Sequence, residues 1–387
     1  MKVLFVCNNV YIKGNGLSTS ARVTSKYLKE AGVDVKLLSA ENPDPEGTQP
    51  DFRMKIFHFP IFQPLITDNS FCFSKDDMSV IRKAVEWADV IHLEEPFFLQ
   101  SKVGKLANKL GKPCVGTYHL FAENISYNIL PFLGRWKLLN FIMTKCFQRD
   151  YDRCSDVQCP TQTVADLLTR YNFTAEKHVI SNGVLIKKKP EATNPPTNPY
   201  RILMTGRYSA EKDPFTLLKA MKYSRHANEI QLDFAGSGGM EKRMKRMSKC
   251  LLDKGILKYE PLFGFHSADE LKEIEAQSYL YVHCARVEVE GLGCLEAIRD
   301  GVVPIISQDS LVATSQFALT EKSLFPAGDA KTLADRIDWW IEHPEERQRM
   351  SLEYAKSALN YDVKDSIQKL IAMYQTAIDK TAYHVHV

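Results

Sequence analysis

Glu288 and Glu296 bracket the run Glu288-Val-Glu-Gly-Leu-Gly-Cys-Leu-Glu296, in which the chain passes from an apolar strand into a helical pattern closed by Gly301. The start of a helix carries backbone N–H groups with no partner in the helix and the positive end of its dipole, so it attracts anions. Gly291, Leu292 and Gly293 offer those groups, and the missing side chains of the two glycines let a phosphate approach. A diphosphate fits there. Glu288 before the helix and Glu296 one to two turns inside it can then accept hydrogen bonds from hydroxyls on either side, a sugar and a ribose. A glycine-containing loop with solvated glutamates is the plainer reading of the same residues. In the segment Gly206-Arg-Tyr-Ser-Ala-Glu-Lys212, also after a strand, Arg207 and Lys212 would neutralise the charge that develops as a nucleoside diphosphate departs.

Other signals are weaker. The loop Gly14-Asn-Gly16 lacks the third glycine of a dinucleotide fingerprint, Thr19 standing in its place, which disfavours an oxidoreductase although Glu41 keeps that rival open. Gly16 is instead expected to bring backbone close to the donor. His119 follows the strand Cys114 to Tyr118, where it could bond a sugar hydroxyl. Asp150-Tyr-Asp152 matches a short D-x-D metal pattern but falls in a basic helical stretch. No other cluster has metal-ligand spacing, so neither a metal nor another cofactor is expected. The nine scattered cysteines indicate neither disulfides nor zinc.

The elements that must position these groups form two series. At 387 residues, two domains are expected. Lys2 to Val10, the helical pattern Ser18 to Ala31 and the strand Val33 to Ser39 make an opening βαβ unit, and short apolar strands recur to Cys159. Lys187 to Pro199, with four prolines and no apolar periodicity, reads as a linker. The same alternation restarts at Tyr200. The fold class is therefore α/β, with two Rossmann-like doubly wound parallel-sheet domains, 1–186 and 200–360, expected to face each other across a cleft. Residues 1–190 carry 25 Lys and Arg against 19 Asp and Glu, and the remainder 25 against 28, too small a bias to imply nucleic-acid binding. No apolar run spans a bilayer and the first residues lack a signal-peptide layout, so a cytoplasmic location is expected.

These residues resemble the retaining glycosyltransferases of family 4, which have the GT-B fold. The pattern E-x7-E of Glu288 and Glu296 is joined, in the family's order, by Ile180-Ser-Asn-Gly183, Gly206-Arg207 with Lys212, Phe234-Ala-Gly-Ser-Gly-Gly239 and Gly301-Val-Val-Pro304. The resemblance implies that Glu288 lies beside the transferred sugar, Glu296 binds the ribose, Arg207 and Lys212 bind the diphosphate, and His119 touches the sugar. It also implies a last helix, 361–387, that packs back on the first domain. Glu290 stands where many relatives have an aromatic residue. Gly116-Thr-Tyr-His119, Glu123-Asn-Ile-Ser-Tyr127 and Ser310 to Leu319 look most similar to bacterial enzymes that glucosylate diacylglycerol, which implies a UDP-hexose donor, a membrane-lipid acceptor and a peripheral place on the inner face of the membrane.

Leu130 to Arg153 is apolar with five basic residues, and Trp136, Leu139, Ile142, Met143 and Phe147 could form one face. Such a helix suits an anionic membrane interface, and equally a core packed on its own domain. A soluble or polysaccharide acceptor, a nucleotide-sugar epimerase of the same fold and a non-catalytic partner protein are the alternatives. The intact charges at 207, 212, 288 and 296 argue against the last.

Overall fold

Short apolar strands separated by helices pair in parallel, because crossover helices cover both faces and leave the central strands buried. In the computed structural model, which describes residues 1–12, 15–60, 63–68, 71–129 and 132–385, this happens twice. The chain divides into unit 1, Met1–Gly183 with Val363–Val387, and unit 2, Val184–Asp362.

Unit 1 contains β1 (Lys2–Val6), β2 (Asp34–Ala40), β3 (Phe52–Met54), the short antiparallel pair β4 (Ile56–Phe57) and β5 (Phe73–Ser74), then β6 (Val90–Leu93), β7 (Cys114–Thr117), β8 (Asp156–Cys159) and β9 (Glu176–Val179). Its seven-stranded parallel sheet has the order β3-β2-β1-β6-β7-β8-β9. The helix Val363–Val385 belongs to this unit. Tyr374 Oη lies 2.6 Å from His92 Nδ1, and Lys380 Nζ donates to Asp156 Oδ1 and Glu176 Oε2, both at 2.7 Å.

Unit 2 contains β10 (Tyr200–Thr205), β11 (Ile230–Ala235), β12 (Leu262–Gly264), β13 (Leu280–His283), β14 (Val303–Gln308) and β15 (Leu324–Pro326), in the order β12-β11-β10-β13-β14-β15. One core runs along this sheet, from Ile202 and Leu232 through Val282 and Ile305 to Ile337 and Trp340.

The segment Lys187 to Pro199, expected to be a linker, is fastened to unit 2. Buried Arg347 donates to the Thr193 carbonyl at 2.9 Å, to its hydroxyl at 2.7 Å and to the Tyr279 carbonyl at 3.1 Å. Ser351 Oγ accepts from Thr193 N at 2.8 Å. Proline removes donors but leaves carbonyls that must be satisfied where they are covered, and Arg347 does this from a helix more than 150 residues away in sequence. The chain therefore changes unit at Gly183, before the proline-rich stretch.

Candidate functional site

In open parallel sheets, ligands bind beyond the carboxyl ends of the strands where the strand order reverses. In unit 2 that point lies between β10 and β13, which pair directly. The loop after β10 carries Arg207 and Lys212, and the loop after β13 carries Glu288 and leads into the helix Leu292–Arg299. The sheet order therefore explains why charges some eighty residues apart in sequence meet.

Lys212 Nζ donates to Glu288 Oε2 in a mostly buried ion pair. Burial by itself would raise the Glu288 carboxyl, but the Lys212 ammonium, followed by His283, holds it well below the usual carboxylate range. The Glu288 backbone is clamped as well: its N–H donates to Leu311 O at 2.8 Å and its carbonyl accepts from Ala313 N at 2.9 Å. The helix then begins at Gly291, which is left-handed with φ 89° and supplies no side-chain cap. A β-carbon there would be strained in that conformation and would run into Thr314. At Gly293 it would run into Thr205 Oγ1, so the helix start sits hard against the end of β10. An uncapped helix start with glycine at 291 and 293, three residues after the carboxylate that pairs with Lys212, is an arrangement that can receive a diphosphate.

Arg207 Nη2 donates at 2.7 Å to Glu211 Oε1, a fully buried carboxylate. The two loops are tied together by Arg286, whose N–H donates to Glu211 O at 2.6 Å and whose Nε donates to Asp213 Oδ2 at 2.7 Å. Glu296 lies in the second turn of the helix, where burial raises its carboxyl and nearby Arg299 partly offsets that. Unit 2 thus gathers Arg207, Lys212, Glu288, Gly291, Leu292, Gly293 and Glu296 around one strand-order reversal, with Lys212 and Glu288 in direct contact.

Gly16 and His119 are in unit 1. Gly16 opens the helix Gly16–Glu30, with space around the position of a β-carbon, and Asn15 Oδ1 accepts from Leu17 N and Ser18 N. Lys13 and Gly14 of that loop lie outside the described residues. His119 Nε2 lies 2.7 Å from Glu94 Oε2, and His92 Nε2 lies 3.3 Å from Glu94 Oε1. His92 itself is lowered to about 4, chiefly by burial. The D-x-D residues are engaged locally: Asp150 pairs with Arg153, and Asp152 Oδ1 accepts from Thr174 N and Oγ1.

Sequence reading missed Glu211, His283, Thr314 and Arg286. His283 ends β13 and His119 lies two residues beyond β7, so a histidine at a strand's carboxyl end is the signal that could have found it. One further cluster, Asp156, Glu176 and His178, was invisible because its members sit on neighbouring strands and converge only in the fold. Lys380 places its ammonium against both carboxylates.

The amphipathic stretch differs from expectation too. In the helix Lys137–Tyr151 the buried positions are Asn140, Thr144, Phe147, Asp150 and Tyr151, while Leu138, Phe141 and Ile142 face outward with Phe132 and Trp136 just before them. Phe147 therefore points away from the exposed Trp136 and Ile142, against the shared face expected from the sequence. Asn140 and Thr144 can lie inward because their side chains bond the carbonyls of Gly134 and Asn140 at 3.0 and 2.8 Å.

Residues 186–357 match the family described as Glycosyl transferases group 1, and residues 14–187 match Glycosyltransferase Family 4. Among curated proteins, the chain is 23% identical over 327 residues to an alpha-monoglucosyldiacylglycerol synthase from Streptococcus pneumoniae, covering 79% of this chain and 71% of that protein. Among solved structures, sucrose-phosphate synthase from Thermosynechococcus elongatus is similar in fold, with TM-score 0.75, 15% identity and coverage of 98% and 100% of the two chains. HepE from Anabaena, solved in complex with UDP and glucose, gives TM-score 0.70, 15% identity and coverage of 97% and 100%. With both halves matched in order and two parallel-sheet units of this kind, the chain is an enzyme of glycosyltransferase family 4 with the GT-B fold, related to the diacylglycerol glucosyltransferases.

Proposed function

We propose that this glycosyltransferase moves a hexose, glucose or galactose, from a UDP-sugar to the hydroxyl of a membrane lipid such as diacylglycerol, with retention of anomeric configuration and without a metal. The donor half rests on the Lys212–Glu288 pair beside the open helix start at Gly291. As the bond from the anomeric carbon to the β-phosphate oxygen breaks, the diphosphate gains charge. Lys212, Arg207 and the N–H groups of Gly291 to Gly293 are disposed to stabilise it. The acceptor oxygen bonds to the anomeric carbon on the same face, and its proton passes to the departing phosphate oxygen, so no protein base is required. Glu288 orients the sugar hydroxyls and Glu296 holds the ribose. The UDP and glucose bound by HepE agree with this donor class.

The acceptor half is carried by the apolar side chains that the helix Lys137–Tyr151 and the turn before it turn outward, opposite buried Phe147 and Tyr151. A helix of a water-facing enzyme turns its apolar side inward. This helix and the turn before it expose Phe132, Trp136, Leu138, Phe141 and Ile142 beside Arg135, Lys137, Lys145 and Arg149, the composition of a segment that lies in an anionic membrane interface. Among the described residues no helix is long and apolar enough to cross a membrane, so such a surface would hold the enzyme peripherally, on the cytoplasmic leaflet. The curated relative's name, a diacylglycerol-derived glycolipid synthase, points the same way.

The protein should co-sediment with vesicles containing phosphatidylglycerol, lose that binding in high salt, and lose most of it on Trp136→Ser with Phe141→Ser. Equal retention on neutral vesicles would count against the membrane face. For the reaction, purified enzyme in EDTA is incubated with UDP-, ADP- and GDP-hexoses and with diacylglycerol, a sterol or soluble sugars, and products are read by mass spectrometry and NMR. An α-linked glycolipid formed from the UDP-sugar is expected. Products only on soluble sugars would overturn the lipid assignment, and interconversion of the donor sugar without acceptor would identify an epimerase.

A further inference from the structure

We propose that His283 is a positioning residue for the transfer reaction: it donates its Nε2–H to Glu288 and fixes that carboxylate beside the helix start. The proposal rests on the reading of unit 2 as the sugar-donor site. Its geometry is independent of that reading.

His283 is the last residue of β13 and is buried. Its Nε2 lies 3.4 Å from Glu288 Oε2 and 3.3 Å from Thr314 Oγ1. Thr314 is the residue whose side chain presses on Gly291, the left-handed start of the helix, and its neighbour Ala313 donates to the Glu288 carbonyl. One imidazole therefore touches the carboxylate and the threonine that packs on the helix start.

Charge decides the tautomer. Glu288 stays ionised beside Lys212 and can only accept, so an imidazole that bonds it through Nε2 carries its hydrogen there, and the Thr314 hydroxyl oxygen is a second acceptor within reach. His283 is itself lowered, first by burial, which keeps the ring neutral, with the Nε2 proton as its one N–H. Lys212 and His283 both converge on Oε2, which leaves the acceptor capacity of Oε1 for a sugar hydroxyl. Lys212 is also assigned to the diphosphate. When it turns toward that group, His283 becomes the donor that still holds Glu288 in place. A carboxylate without it would rotate and lose the orientation that the transition state needs.

The test has two arms. Nitrogen-15 NMR of the imidazoles, assigned by loss of one signal set in His283→Gln, should show the Nε2–H tautomer for His283 at neutral pH. The Nδ1–H tautomer would overturn the proposal whether or not the protein proves to transfer sugar. In the second arm, His283→Leu is expected to lower kcat about 10- to 100-fold with little change in KM for the UDP-sugar. His283→Gln, which keeps an N–H donor of similar reach, should stay within a few-fold of the parent. Folded His283→Leu protein with parental kcat, or equal losses in the Leu and Gln variants, would sink it. If the Leu variant does not fold, His283→Met replaces it against the same Gln comparison. A parent enzyme that transfers from no donor would instead defeat the reading of the site, leaving the NMR arm to decide the role of His283.

Discussion

Lys212→Ala enzyme is expected to turn over about 100- to 1000-fold more slowly than the parent, the typical loss when one preorganised stabiliser of developing negative charge is removed. The expectation follows from where the ammonium sits. It is mostly buried and paired with an ionised carboxylate, in a loop tied by Arg286 to the loop that carries its partner. Bound diphosphate would offer it more negative charge than Glu288 does, and most of all as the leaving group separates. The loss should therefore fall on kcat. Lys212→Arg, which keeps the charge but not its compact shape, should recover part of it. Steady-state kinetics with saturating UDP-hexose measures both, and an unchanged kcat in folded Lys212→Ala protein would remove the lysine from the mechanism. Arg207→Ala is a less direct probe, because it also takes the guanidinium from the buried Glu211 carboxylate, which raises a folding cost of its own.

The second large effect is structural. Gly236 follows β11, and a β-carbon there would drive into the Gly206 carbonyl of the adjacent loop, with the Gly206 carbonyl carbon 2.9 Å away. Backbone cannot give way as a flexible side chain can. Gly206 N–H also donates to Ala235 O at 3.0 Å and Tyr208 N–H to Ser237 O at 2.8 Å, so pushing the two loops apart strains the ladder that aims Arg207. Gly236→Ala should cost about 3 kcal/mol or more, which for a unit of this size lowers Tm by roughly 6 to 12 °C. Gly239→Ala, three residues on, meets nothing within 4 Å and serves as the comparison. Thermal unfolding followed by circular dichroism compares them, and equal Tm values would show that the loops accommodate the methyl group.

Much of this protein is legible along the chain. Strand runs such as 3–6 and 280–282 are apolar because both faces of a parallel strand are covered, and that requirement is written into composition. Glu288, Gly291, Gly293 and Glu296 are also local: within nine residues the helix start and its flanking carboxylates arise together. His283 closes a strand, but only its distance to Glu288 marks it as more than a buried histidine.

Other features depend on partners far away in sequence. The proline-rich stretch 187–199 looks like a free linker until Arg347 and Ser351 reach it. The outward face of the helix Lys137–Tyr151 could not be chosen from periodicity, since Asn140 and Thr144 are tolerated inside only through bonds to particular carbonyls. Sequence by itself determined the alternation of strand and helix, the two series of elements and the glycine-flanked helix start, because each is set by residues within a turn or two of one another. Tertiary structure alone decided that Lys212, His283 and Glu288 meet, because the crossover placing β13 next to β10 is a long-range pairing that no local pattern encodes.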